Sequence, residues 1–196
     1  MDYIEVFAGA EAEVGGSPHP LPLSHGVGEG QGVRASSHFG LGASEYLYVI
    51  HGLERGAPEP IDLEAERNLH RLLVELANQR LVQSMHDLSE GGFAVALTEC
   101  ALVHGVGASV DLPAEATDFA PRPDAALFGE KQTRVIISAK PENVPAIQQL
   151  AQAHGLACYT IGETGGDRVR IALSGQERVN LPLSECQAAY EGGLLG

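Results

Sequence analysis

The feature that most restricts how this chain can fold is the run Ser84-Met85-His86-Asp87-Leu88-Ser89-Glu90-Gly91-Gly92. It separates an apolar strand opened by Leu81 and Val82 from an apolar helix, Phe93-Ala94-Val95-Ala96-Leu97. A strand that stops at a compact polar turn and restarts as a helix leaves free backbone N–H groups at the helix start. Those groups and the helix dipole favour an anion such as phosphate. The side chains of His86, Asp87, Ser89 and Glu90 are expected to crowd one rim. Asp87 and Glu90 there offer the carboxylate oxygen that Mg2+ prefers. A plainer reading makes Asp87 or Ser89 a helix N-cap, with Gly91-Gly92 allowing close helix–strand packing.

Composition narrows the function classes. The formal charge is −14 with only 12 basic residues, none in a run, so a nucleic-acid or anionic-membrane surface is not expected. No apolar stretch is long enough to span a bilayer. The opening Met1-Asp2-Tyr3-Ile4-Glu5 is acidic, unlike a secretion leader. Three widely spaced cysteines, Cys100, Cys158 and Cys186, fit neither a disulfide framework nor a zinc knuckle, and a reduced, cytoplasmic setting is expected. Cys100 and Cys158 fall in apolar segments and read as small core residues.

Along the chain, Tyr3 to Ala8 reads as a strand and residues 1–17 as the remnant of a preceding unit. Residues 18–44, rich in proline and then glycine, carry no apolar period and read as an inserted, disordered loop. Joining Ser17 to Glu45 restores a continuous Gly-Gly-Ser-Glu-Tyr-Leu. Ser44 is expected to cap a helix over Glu45–His51, closed by Gly52. Asp62 should cap a longer helix with apolar positions Leu63, Leu69, Leu72, Leu73 and Leu76. Strands are predicted at Leu81–Met85, Ala108–Leu112, Thr133–Ala139, Ala157–Glu163 and Arg168–Leu173, with Gly165-Gly166-Asp167 as a hairpin turn. Helices are predicted at Glu90–Val103, Glu142–His154 and from about Ser184. Arg134 is expected to pair with Glu130 near the surface. The alternation argues for α+β architecture in α/β/α layers: a mixed sheet flanked by helices, over residues 45–196.

Four patches in fixed order carry a family resemblance: the spliced Gly-Gly-Ser-Glu-Tyr-Leu, the turn His86–Gly92, Leu127-Phe128-Gly129-Glu130-Lys131-Gln132-Thr133-Arg134, and Ile161-Gly162-Glu163 followed by Gly166-Asp167. Together they resemble the C-terminal part of phosphoribosylformylglycinamidine synthase. The wider superfamily holds aminoimidazole ribonucleotide synthase, selenide–water dikinase and a hydrogenase maturation factor. The resemblance implies a large enzyme of two related halves, each with a sheet domain followed by an α/β/α domain. It implies ATP and Mg2+ as cofactors and the amidation of formylglycinamide ribonucleotide with glutamine-derived ammonia, in the cytoplasm.

It further implies that the catalytic histidine and main ATP-binding segments lie upstream, so no residue here is expected to be catalytic and the chain alone is expected to be inactive. Asp87 becomes the candidate Mg2+ ligand, and His86, Ser89, Gly91, Gly92, Glu130 and Gln132 the candidate ligand contacts. Lys131 departs from the family's Glu-Ser-Gln triplet, which makes an auxiliary nucleotide or structural site the expected one. The implied partners are the N-terminal part of the synthetase, a glutaminase subunit and a small accessory subunit. The alternatives are a non-catalytic dimerisation or regulatory module, with a homodimer as its expected form, and a sister ATP-dependent enzyme such as aminoimidazole ribonucleotide synthase.

Overall fold

The computed structural model describes residues 2–8, 40–58, 60–116 and 122–193. Its seven strands are β1 (Tyr3–Ala8), β2 (Ser84–Asp87), β3 (Ala108–Leu112), β4 (Val135–Ala139), β5 (Ala157–Thr164), β6 (Arg168–Leu173) and β7 (Gln176–Pro182). They form one mixed sheet in the order β2-β4-β1-β5-β3-β6-β7. Only the β3–β6 pair is parallel. The helices are α1 (Glu45–His51), α2 (Leu63–Asn78), α3 (Gly92–His104), α4 (Pro123–Phe128), α5 (Val144–Ala153) and α6 (Leu183–Gly193). The first strand of the chain lies mid-sheet, between β4 and β5.

Both sheet faces are covered, as the α/β/α expectation requires. The alternation of strand side chains sends Ile136 to one face and its neighbours Val135 and Ile137 to the other. On Ile136's side the core joins Phe93, Leu97 and Ala101 of α3 and Cys186 of α6 to Ile4, Val110, Ile161 and Ile171. On the opposite side Leu69, Leu72 and Leu76 of α2 and Ile147 and Ala151 of α5 pack on Val135, Ile137 and Ala139. Leu63 does not join them and stands 73 % exposed. Six residues before Leu69, it lies about 120° around the helix from that stripe. Leu72 has no exposed surface. Leu72→Ala is therefore expected to cost about 2–5 kcal/mol, read as a lower urea midpoint at unchanged m-value.

The capping signals act as the sequence indicates. Ser44 Oγ accepts from Leu47 N at 3.4 Å, and Gly52 closes α1 in the left-handed region at φ 62°. Asp62 accepts from Glu64 N and Ala65 N at 2.9 and 3.1 Å. Of the segment 18–44, residues 18–39 lie outside the described part. Its last residues, Gly40–Ser44, are described, and Leu41 is buried against Ala125.

Several boundaries differ for local reasons. Leu81 and Val82 precede β2, because Arg80 turns left-handed at φ 55° and Leu81 N donates back to Leu76 O. Both then pack against the α2 side of the core. The polar pair His86-Asp87 instead completes the strand, opposite Ile136 and Val135. The turn at Gly165-Gly166-Asp167 does not close a hairpin, since β3 lies between β5 and β6. Gly107, just before β3, enters that turn: Gly107 N donates to Gly166 O and Gly165 N donates to Gly107 O. Strand β7 has no counterpart in the sequence reading. It follows Ser174-Gly175, both at positive φ, 48° and 79°. That is the conformation of a tight two-residue hairpin turn.

Candidate functional site

The polar turn is divided by the pleat of β2, because consecutive strand side chains point to opposite faces. His86 turns toward α3, with Nε2 3.5 Å from Glu99 Oε2 and Nδ1 2.6 Å from the Asp87 carbonyl. Asp87 turns toward α2. There it borders a cleft of about 250 Å3 with Ser89, Gln132, Thr133 and Arg134, across from Glu66 and His70. The expectation of one shared rim is thus corrected in part: Asp87, Ser89 and Gln132 line the cleft, and His86 leans toward α3 with its Nδ1 still 4.0 Å from Asp87 Oδ1. Glu90 is exposed.

Glu130 organises the other end of the turn. Its Oε1 accepts from Gly91 N at 2.8 Å and from Glu45 N at 2.9 Å. Three of the four resemblance patches therefore meet at one carboxylate oxygen. Gly91 is the N-cap residue of α3 and has no side-chain cap bond, so neither Asp87 nor Ser89 caps this helix. The negative charge expected at the α3 N-terminus comes from within the chain, and the Gly91 N–H is already engaged. Gly92 serves a close approach of a different kind from the one expected. A Cβ there would stand 2.7 Å from Gly129 O and 2.8 Å from the Phe128 carbonyl carbon. The contact is helix against the 128–130 segment, not helix against strand.

Glu66, His70 and Thr133 are cleft residues that sequence reasoning missed. Glu66 Oε2 accepts from the Thr133 hydroxyl at 2.6 Å, and Glu66 Oε1 stands 3.0 Å from His70 Nε2. The spacing of Glu66 and His70, one helical turn apart, marks them as neighbours on α2. Nothing in it points across to residue 133. The sequence predicts a strand from Thr133; Thr133 instead has φ 63° and the strand begins at Val135. Arg134, expected near the surface, is 3 % exposed.

The cleft offers carboxylate, hydroxyl, amide and imidazole groups, equipment for binding a polar ligand through hydrogen bonds. Among the described residues no three His, Cys, Asp or Glu side chains form a metal centre. Asp87, its side chain 76 % exposed, supplies one carboxylate. A lone carboxylate of that kind could hold Mg2+ only together with waters and the oxygens of a phosphate ligand. The cysteines lie apart from the cleft. Burial raises the thiol pKa of Cys100 and of Cys186, and Glu99 and Glu185 add to it. Both are expected to react with a disulfide reagent at pH 7.5 more slowly than an unhindered thiol, and urea unfolding should abolish the difference.

A family model described as AIR synthase related protein, C-terminal domain, matches residues 28–173. The chain belongs to that family. The match begins inside segment 18–44 and ends with the last residue of β6. Among curated relatives it is similar to the phosphoribosylformylglycinamidine synthase subunit PurL of Caldanaerobacter subterraneus, 36 % identical over 152 residues, 78 % of this chain and 20 % of the relative. The PurL subunit of Methylocella silvestris is 40 % identical over 154 residues, with 79 % and 20 % covered. The chain thus spans about one fifth of the length of these relatives. In fold it is similar to T. maritima PurL complexed with ATP, at TM-score 0.63 and 18 % identity, covering 94 % of this chain and 25 % of that one. For T. maritima PurL complexed with FGAR the values are 0.64 and 21 %, with 94 % and 27 % covered. For this AIR synthase related domain, the sequence reading of the C-terminal part of the synthase agrees with these matches.

Proposed function

We propose that this chain is the C-terminal domain of a phosphoribosylformylglycinamidine synthase and supplies one wall of a nucleotide site whose other wall lies in the rest of the synthase. The observation that carries the reading is the meeting of the Ser44-Glu45, Gly91-Gly92 and Glu130 patches at one oxygen, in a chain matching a fifth of the PurL subunits. Asp87, Ser89 and Gln132 are the proposed contacts of that wall, with His86 beside Asp87 but turned toward α3 in a supporting place. Glu130 is assigned to holding the turn. Gly91 and Gly92 shape it.

The reaction joins ammonia to formylglycinamide ribonucleotide at the expense of ATP, in the purine pathway. Asp87 would give Mg2+ one carboxylate, and the ion would offset triphosphate charge. The chain's own residues bind and orient; the catalytic histidine is assigned to the remainder of the synthase. The proposed partners are that remainder, a glutaminase subunit and a small accessory subunit, in the cytoplasm. The test mixes the purified chain with the remaining synthase and glutaminase and measures formylglycinamidine ribonucleotide. Product is expected with the mixture and not with the chain alone; a mixture no more active than its parts without this chain overturns the reading.

A second reading rests on α1, where Tyr48, Val49 and Ile50 are 54–68 % exposed and no residue is buried. An apolar helix in that state suits a dimerisation module. Sedimentation at several concentrations separates the two, since only the module self-associates without the synthase.

A further inference from the structure

We propose that Glu66 and Thr133 form a latch that sets the orientation of Gln132 in the cleft, with Glu66 the positioning residue. The proposal rests on the nucleotide-site reading only where it concerns ligand binding. Residues 131–133 bridge two fixed points. On one side Glu130 is tied to Gly91 N and Glu45 N. On the other, Arg134 O accepts from Leu88 N at 3.1 Å, and Val135 pairs with Asp87 in the sheet. The chain crosses this short gap with Thr133 at φ 63°.

A left-handed backbone is costly for a β-branched residue, and such conformations persist only where surrounding contacts impose them. Here one such contact is visible. The Thr133 side chain is buried, and its hydroxyl donates to Glu66 Oε2 at 2.6 Å. Glu66 is itself held, since its other oxygen lies 3.0 Å from His70 Nε2 one turn along α2. A helix on one side of the gap therefore fixes the twist of a loop on the other. That twist decides where the preceding residue goes. With Thr133 left-handed, Gln132 borders the cleft beside Asp87 and Ser89. With Thr133 extended, strand β4 would begin two residues earlier and Gln132 would take a different direction.

A latch makes a prediction that an ordinary hydrogen bond does not. Once Glu66 is gone, the threonine conformation is a cost without support, and glycine should relieve it. In the 196-residue chain, Glu66→Ala is expected to lower Tm and to speed amide exchange across 131–134 by tenfold or more. Adding Thr133→Gly to Glu66→Ala is expected to raise Tm again, because glycine accepts positive φ without strain. Thr133→Ser keeps the hydroxyl and should leave exchange at 131–134 within twofold of the parent. If Thr133→Gly lowers Tm further in the Glu66→Ala background, or if exchange at 131–134 is unchanged by Glu66→Ala, the latch is overturned.

The ligand arm uses the reconstituted synthase with ATP and formylglycinamide ribonucleotide. Glu66→Ala should raise KM for one of them at least threefold with kcat lowered less. An unchanged KM in an active synthase overturns the positioning role. A synthase that is inactive with the parent chain overturns the function reading, and Tm and exchange then judge the latch on their own.

Discussion

Replacing Gly92 by alanine is expected to destabilise the chain by about 2–5 kcal/mol. Two costs add. The residue has φ 63°, and a side chain in the left-handed region costs about 1–2 kcal/mol. The new Cβ also meets backbone, at 2.7 Å from Gly129 O and 2.8 Å from the Phe128 carbonyl carbon. Backbone cannot rotate away as a side-chain tip does, so the 128–130 segment must move, an overpacking cost of about 1–3 kcal/mol. Gly105 supplies the control. Its φ is 62°, and a Cβ there meets nothing within 4 Å. Gly105→Ala should therefore show the backbone cost alone, about 1–2 kcal/mol. Urea titration of both variants separates the terms, and equal losses would sink the packing argument.

Glu130→Ala is the second large effect. One side-chain oxygen serves two backbone donors on segments 46 residues apart, Glu45 and Gly91. Hydrogen bonds to a charged acceptor contribute about 1.5–3 kcal/mol each. Both donors have access to water once the carboxylate is gone, so the expected total is about 2–3 kcal/mol. The local effect should exceed the global one. Helix α1 buries no residue and has seven residues, too few to hold a helix by propensity alone. Amide exchange at Leu47–His51 should rise well before the sheet loosens. Glu130→Gln keeps an acceptor but no charge, and should fall between the parent and alanine. Unchanged α1 protection in Glu130→Ala would show that other contacts hold the helix, among them Ala43 N to Arg55 O, the close Gly42–Ala57 approach and the stacking of Tyr46 on Phe128.

What the sequence disclosed follows from the range of the forces involved. Ser44, Gly52, Asp62 and the α2 stripe act within one or two turns of their own chain, and each was legible. The β-branched run Val135–Ile137 was legible too, buried on both faces. Strand β7 was not, because its side chains are half-buried or exposed and leave weak alternation. The hairpin reading of 165–167 failed because a third strand, far away in sequence, enters between the two neighbours. The site divided in the same way. The turn and its glycines stood out, since polar residues between apolar segments are visible locally. That His86 leans toward α3 and Asp87 toward α2 depended on extending β2 to Asp87, which pairing with β4 decides. Glu66 and His70 gave no signal, because their relevance lies in Thr133, 67 residues later.

The central position of β1 has an architectural consequence. Its two flanks pair with Val135–Ala139 and Ala157–Glu163, from much later in the chain. Without residues 3–8 the sheet would fall into two ribbons, β2–β4 and β5–β3–β6–β7, each with a raw border where six residues once bridged them. Residues 3–8 act as a keystone, since hydrogen bonds from both their edges join the two ribbons into one sheet.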